Sequence, residues 1–164
     1  MDQKVVTYLW FEDNAEEAVN FYVDVFKSAP SRPARDSEIL DIRRYPAGYS
    51  EGPMAGMEGK VLNGTFKLGG VKFYALDGGP LFQFNESISL YIECEDQTEI
   101  DYFWDKLSAV PESEQCGWLK DRFGLSWQII PKNMGELLAT QEQIDAMLEM
   151  KKIVIADLEA VRPT

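Results

Sequence analysis

The chain has 164 residues, of which 45% are hydrophobic and 27% charged, so it is long and apolar enough to fold around a core. A formal net charge of −12 argues against nucleic acid and anionic membrane partners, and no apolar run approaches the roughly 20 residues of a membrane-spanning helix. We expect no signal peptide, because the first residues lack a basic segment and a cleavage site. The two cysteines, Cys94 and Cys116, do not have a metal-type spacing, and the whole composition predicts a cytoplasmic protein.

The first predicted elements are a strand and an amphipathic helix. Residues 5–11 are rich in β-forming side chains. The helix is predicted from apolar residues that recur at three- and four-residue spacing between Ala15 and Phe26. Asn14 is predicted to cap this helix, with Glu17 completing a capping box.

Three further strands are predicted before the middle of the chain. The first covers residues 38–45, and the next two, 60–68 and 71–76, flank Gly69-Gly70. Glycines accept the positive φ of a two-residue turn, so this pair is predicted to form a hairpin. Residues 47–59 are rich in glycine and lack periodicity, which predicts a long loop, and residues 77–80 form the expected linker.

The second half repeats this order. A strand is predicted over residues 88–94, then a helix with apolar positions from Ile100 to Leu107, with Asp96 and Glu99 near its start. Two strands follow, at 115–120 and 125–130. The proline-containing segment before them leaves little room for a further strand.

An internal repeat relates the two halves. A shift of 81 residues places Leu9 on Leu90, and aligning Gly70 with Gly124 makes Tyr74 equivalent to Gln128. The predicted organisation is a first βαβββ module at 1–79, a second at 80–138, and a helical tail at 139–164. Ile144, Met147 and Leu148 give the tail an apolar face that packs on this subunit or on another.

Four segments carry a resemblance to a known family: DNAEEAVNFYVDVF, LNGTFKLGGVKFYALDGGP, FNESISLYIECEDQTEIDYFWDKL and CGWLKDRFGLSWQIIP. They resemble the PhnB-like, or 3-demethylubiquinone-9 3-methyltransferase-like, branch of the vicinal oxygen chelate superfamily, which includes glyoxalase I, bleomycin-resistance proteins and extradiol dioxygenases. The resemblance implies an α+β fold in which two tandem βαβββ modules with curled mixed sheets enclose a cleft, followed by C-terminal helices. It also implies a homodimer.

Metal-dependent relatives hold the ion with histidine and glutamate on the first and last strands of each module. The corresponding positions here are Thr7 or Tyr8, Ile88 or Ser89, Tyr74 and Gln128. They offer hydroxyls and an amide, which are poor donors for a transition metal. We therefore predict no metal. No glycine-rich loop lies between a strand and a helix, so we also predict no nucleotide-type cofactor.

Three other sites carry side chains capable of chemistry. Cys116 is the one candidate nucleophile, but a thiolate needs a cation or a helix N-terminus beside it, and a buried strand cysteine is the alternative. Asp121 and Arg122 are interpreted as a turn cap or an ion pair, against ligand contact. Glu86 is interpreted as a solvated carboxylate, against a general base whose pKa burial would raise.

Aromatic and polar side chains at strand positions predict a cleft for a small organic molecule. The candidate ligand-contacting residues are Tyr8, Trp10, Tyr74, Phe82, Phe84, Ser89, Cys116, Trp118, Trp127 and Gln128. The favoured hypothesis is a metal-free binding protein. The alternatives are a superfamily enzyme of glyoxalase, dioxygenase or nominal methyltransferase type, and an oligomeric scaffold whose cleft is filled.

Overall fold

The computed structural model describes residues 2–161. The chain divides into two compact units, the first ending at Gln83 and the second beginning at Phe84. The predicted boundary at residues 79 and 80 lies only a few residues earlier. No helix in the described part of the chain is long and apolar enough to cross a membrane.

The first unit is a four-stranded mixed sheet with one helix on one face. The strands are hydrogen-bonded in the order β1-β4-β3-β2, with β1 parallel to β4 and the other pairs antiparallel. In chain order the elements are β1 (Thr7–Phe11), α1 (Ala15–Lys27), β2 (Glu38–Arg44), β3 (Val61–Leu68) and β4 (Val71–Asp77). The apolar stripe of α1 packs on the face that carries Leu9, Phe66 and Ala75.

The second unit repeats the pattern with one strand fewer. Its sheet has the order β5-β7-β6, with β5 parallel to β7 and β6 antiparallel to it. The elements are β5 (Ser89–Cys94), α2 (Gln97–Leu107), a short 3-10 turn (Pro111–Ser113), β6 (Trp118–Lys120), β7 (Ser126–Pro131), α3 (Met134–Leu137), α4 (Gln141–Leu148) and α5 (Ile155–Ala160). The 3-10 turn stands where the first unit has β2.

The 81-residue register is confirmed by the cores. Tyr22 and Phe103 are equivalent in the repeat, and both are completely buried at the centre of their helices. Val19 and Ile100 form a second equivalent buried pair. Equivalent positions of the two helices therefore face their sheets.

Two local predictions for the first unit have different outcomes. The Gly69-Gly70 hairpin is confirmed, because both glycines have positive φ and Leu68 pairs with Val71. The capping box is wrong, because the Asn14 side chain caps nothing. The N–H of Ala15 instead donates to Asp77 Oδ1 at 2.9 Å. Asp77 is therefore the buried end of β4 and not part of a linker.

The C-terminal tail packs on the second unit itself. A small core joins Ile130 of β7 to Leu137, Ile153 and Leu158. Gln97, at the start of α2, makes two hydrogen bonds to the backbone of the tail. Its Nε2 donates to the Ile153 carbonyl, and its Oε1 accepts from Ile155 N. The predicted single helical stretch is broken between α4 and α5.

Candidate functional site

A pocket of about 690 Å³ lies in the second unit, on the sheet face opposite α2. Side chains alternate between the two faces of a strand, so Gln128 and Ile130 line the pocket while Trp127 and Ile129 face the core. Among residues 2–161, the lining consists of Glu86, Tyr91, Ser113, Gln115, Cys116, Trp118, Gln128, Ile130, Met134, Met147 and Leu148. Most of these side chains are apolar. The sheet contributes one wall, α3 and α4 contribute another, and the remaining four residues lie in the segments before β5 and β6.

Gln128 lies in the middle of the sheet wall. Its Cα partners are Tyr91 on β5 and Trp118 on β6, so two aromatic side chains flank it. Its Nε2 donates to the Ser89 hydroxyl at 2.9 Å. The predicted candidates Gln128, Ser89 and Trp118 are thus brought together, with Tyr91 as a neighbour that the sequence analysis missed.

Cys116 lies at the rim in a strained turn. Its φ of 50° is in the left-handed region, and Gly117 follows with a φ of 84°. The N–H of Cys116 donates to Met150 O at 2.8 Å, and that of Gly117 donates to Lys151 O at 2.8 Å. The predicted strand therefore begins at Trp118 instead of residue 115, and Cys116 is not a buried strand residue.

Glu86, at the pocket rim, is held by an ion pair. Lys120 donates to its carboxylate, and this hydrogen bond lowers the pKa of Glu86. The hypothesis of a general base whose pKa burial raises is therefore wrong. Lys120 is engaged with Glu86, so it is also not free to activate Cys116.

Asp121 confirms the structural interpretation of its turn. Its Oδ1 accepts from the N–H groups of Phe123 and Leu125, and its Oδ2 accepts from Trp127 Nε1 at 2.9 Å. Trp127 is only 1% exposed. The expectation that Trp127 contacts ligand is therefore corrected: it is a core residue whose polar atom is already bonded.

The remaining aromatic candidates lie mainly in the first unit. The rings of Tyr8 and Tyr74 are 5.3 Å apart on the sheet face away from α1, and the Tyr8 hydroxyl donates to Asn63. Burial raises the pKa of Tyr8, with smaller effects of Tyr45 and Tyr74.

Trp10 and Phe82 form a second aromatic pair in this unit. Their ring centroids are 4.9 Å apart, and Trp10 Nε1 donates to Gly79 O at 3.0 Å. Phe84 is half-buried at the start of the second unit and does not line its pocket.

The side chains at the predicted metal positions do not fit a transition metal. In the first unit, Tyr8 and Tyr74 are Cα partners and present phenol hydroxyls. In the second, Ser89 and Gln128 present a hydroxyl and an amide that bond to each other. Within residues 2–161, no group of three or more Cys, Asp or Glu side chains is arranged to hold a metal ion. Neutral oxygen donors of this kind are weak ligands for zinc or other first-row ions.

Comparison with known proteins identifies the family. The family model described as 3-demethylubiquinone-9 3-methyltransferase matches residues 3–130. The chain belongs to this family. The PhnB protein from Bacillus cereus is 38% identical, with a TM-score of 0.62, and the match covers 79% of this chain and 99% of that one. The family resemblance found in the sequence is confirmed.

A more distant structure shares the fold. A protein from Pseudomonas aeruginosa is 17% identical with a TM-score of 0.57, and the match covers 80% of this chain and 98% of that one. No curated protein matches the chain.

Several pocket residues are not among the predicted ligand-contacting residues. Tyr91 could have been found, because it alternates with Ser89 on a predicted strand and so shares its face. Met134 comes from α3, at the end of the second module, and Met147 and Leu148 come from α4 in the tail. Their place opposite the sheet depends on the fold of the tail, which periodicity alone does not give.

Proposed function

We propose that the chain binds a small organic molecule in the pocket of the second unit without the help of a metal. The observation that carries this proposal is the apolar pocket of about 690 Å³ around Gln128. Its volume lies in the range of about 300–1,000 Å³ that is usual for ligand sites. A scaffold whose side chains fill this space is disfavoured by the same observation.

The apolar lining supports binding by burial of ligand surface. Trp118 and Tyr91 offer aromatic faces on the sheet side, while Met134 and Met147 offer flexible thioether chains on the helical side. Aromatic rings favour planar ligands, and methionine adapts to irregular shapes. A molecule with a flat apolar body suits both walls.

The test combines a thermal-shift screen for ligand binding with an analysis of the metal content of the purified protein. Thermal-shift measurements against planar organic compounds should give a rise in Tm of several degrees for one class, since a ligand that binds only the native state stabilises it. Trp118→Ala should abolish that rise. Trp104→Ala, on α2 and outside the pocket, is the control. A stoichiometric transition ion in protein purified without an affinity tag would contradict the metal-free proposal.

Methyl transfer is a second candidate, and the description of the matched family favours it. The connection from β1 to α1 is Glu12-Asp13-Asn14, and β5 is joined to α2 by Glu95-Asp96. Neither is the glycine-rich loop of a nucleotide-binding unit. Calorimetry with a sulfonium methyl donor, followed by a search for methylated phenol products, separates this candidate from simple binding.

We also propose a cytoplasmic homodimer that binds neither nucleic acid nor membranes. The net charge of −12 supports the second part, since such a surface repels phosphate groups. The family resemblance supports the first. Light scattering on purified protein gives the oligomeric state directly.

A further inference from the structure

The residues that line the pocket of the second unit disfavour charged ligands. Among the lining residues that the structure describes, Glu86 is the one Asp, Glu, Lys or Arg side chain. Its carboxylate is already paired with Lys120, which does not line the pocket. A charged ligand group would therefore lose hydration without gaining an unpaired opposite charge.

The sheet wall nevertheless contains a hydrogen-bonding group that the described chain does not satisfy. Gln128 Nε2 donates one hydrogen to Ser89, and the Gln128 amide oxygen has no partner among residues 2–161. Gln128 is half-buried and lines the pocket, where Tyr91 and Trp118 flank it on the neighbouring strands. Its amide is the polar point of this wall.

A hydroxyl group matches this polar point in either orientation of the Gln128 amide. It donates to the amide oxygen, and it accepts from an amide N–H. A neutral hydrocarbon would leave the Gln128 oxygen without a partner once the pocket loses its water, which carries a cost.

We infer that this pocket takes a neutral ligand: a flat apolar body with a single hydroxyl or other donor–acceptor group placed against Gln128. The inference rests on the proposed function and specifies its ligand class. The apolar body lies between Trp118 and the methionines of α3 and α4. Anions and cations of the same size are excluded because Lys120 and Glu86 neutralise each other.

The experiment compares four probes that share one ring system: naphthalene, 2-naphthol, 2-naphthoate and 2-naphthylmethylammonium. Calorimetry at pH 7 gives their affinities, with naphthalene measured by competition because it is poorly soluble. We expect 2-naphthol to bind at least about tenfold more tightly than each of the other three, since one net hydrogen bond is worth about this factor. Binding of a charged probe as tight as that of 2-naphthol would overturn the inference and leave the proposed function standing.

Two variants test the roles of individual side chains. Gln128→Met keeps the length of the side chain and should reduce the affinity for 2-naphthol to that for naphthalene, whereas Gln141→Met, on the exposed side of α4, should change neither. Lys120→Met leaves Glu86 unpaired at the rim and should make the ammonium probe the tightest ligand.

Unchanged 2-naphthol affinity in Gln128→Met overturns the assignment of the polar point, provided that the variant keeps the Tm of the parent chain. Absence of binding by all four probes overturns the proposed function and this inference with it.

Discussion

The carboxylate of Asp77 accepts a hydrogen bond from the N–H of Ala15, at 2.9 Å, so the last residue of β4 caps the first helix. Its other oxygen accepts from Val61 N at 2.8 Å, where β3 begins. Asp77 is 2% exposed. One buried side chain therefore fixes the starts of a helix and a strand that are far apart in sequence.

Replacing Asp77 by alanine should destabilise the protein by about 2–4 kcal/mol, because two buried N–H groups would lose their acceptors. Asn14→Ala should cost less than about 0.5 kcal/mol, since its side chain makes no cap. Urea unfolding followed by circular dichroism measures both. Equal losses in the two variants would contradict the assignment of the cap to Asp77.

Gly117→Ala should be strongly destabilising. A Cβ at Gly117 would lie 2.6 Å from Ile130 Cδ1 and 3.2 Å from Ile153 Cγ1, in addition to the strain of a φ of 84°. Gly124 has a similar φ of 88° with no atom within 4 Å of the added Cβ, so Gly124→Ala measures the backbone strain alone.

We expect Gly124→Ala to lower the free energy of unfolding by about 1 kcal/mol. The steric clash in Gly117→Ala should lower it by roughly a further 1–3 kcal/mol. Comparison of the two Tm values gives the difference. Similar Tm values would contradict the close packing of Gly117 against Ile130.

The two thiols should differ sharply in reactivity. Cys94 is completely buried, and burial, followed by the nearby Glu99, raises its pKa far above the ordinary value. Cys116 is partly exposed at the pocket rim. The thiolate is the reactive form, so native protein should react with a disulfide reagent at Cys116 alone, and denatured protein at both.

Cys116→Ala should remove the reaction in the native state, whereas Cys94→Ala should leave it unchanged. The absorbance of the released thiol counts the reactive groups. Reaction of two thiols in native protein would show that the core around Cys94 opens readily.

The ion pair between Asp101 and Lys152 gives the stability of the protein a small dependence on pH. Their charged atoms are 2.8 Å apart, and the hydrogen bond from Lys152 lowers the pKa of Asp101, with help from Gln97. Because the folded-state pKa is below the unfolded one, the stabilisation is present above about pH 4 and is lost as the pH falls through the folded-state value. The pair is exposed, so it contributes only a few tenths of a kcal/mol, in rough magnitude.

Lys152→Met should raise the pKa of Asp101 and reduce stability near neutral pH but not in acid. Carbon-detected NMR titration of the Asp101 carboxyl follows the pKa directly. A titration curve identical in the variant would show that the tail does not carry this ion pair in solution.

The sequence by itself determined the repeat, the helix faces and the family. These features follow from local patterns: Tyr22 and Phe103 are buried because apolar residues at helical spacing must face a sheet, and the Gly69-Gly70 turn forms because glycine accepts positive φ. The sequence also shows which donor atoms stand at the positions where metal-dependent relatives hold their ion, since these depend on residue identity alone.

Only the tertiary structure decided the cap of the first helix and the location of the pocket. Asp77 replaces the local cap because β4 pairs in parallel with β1 and so ends beside the start of the helix. Trp127 was expected to contact ligand, but alternation along β7 turns it to the core and turns Gln128 to the pocket. Long-range packing decides which face of a strand a helix covers. The tail that places Met147 opposite Gln128 lies outside the repeat, so the repeat pattern does not predict this contact.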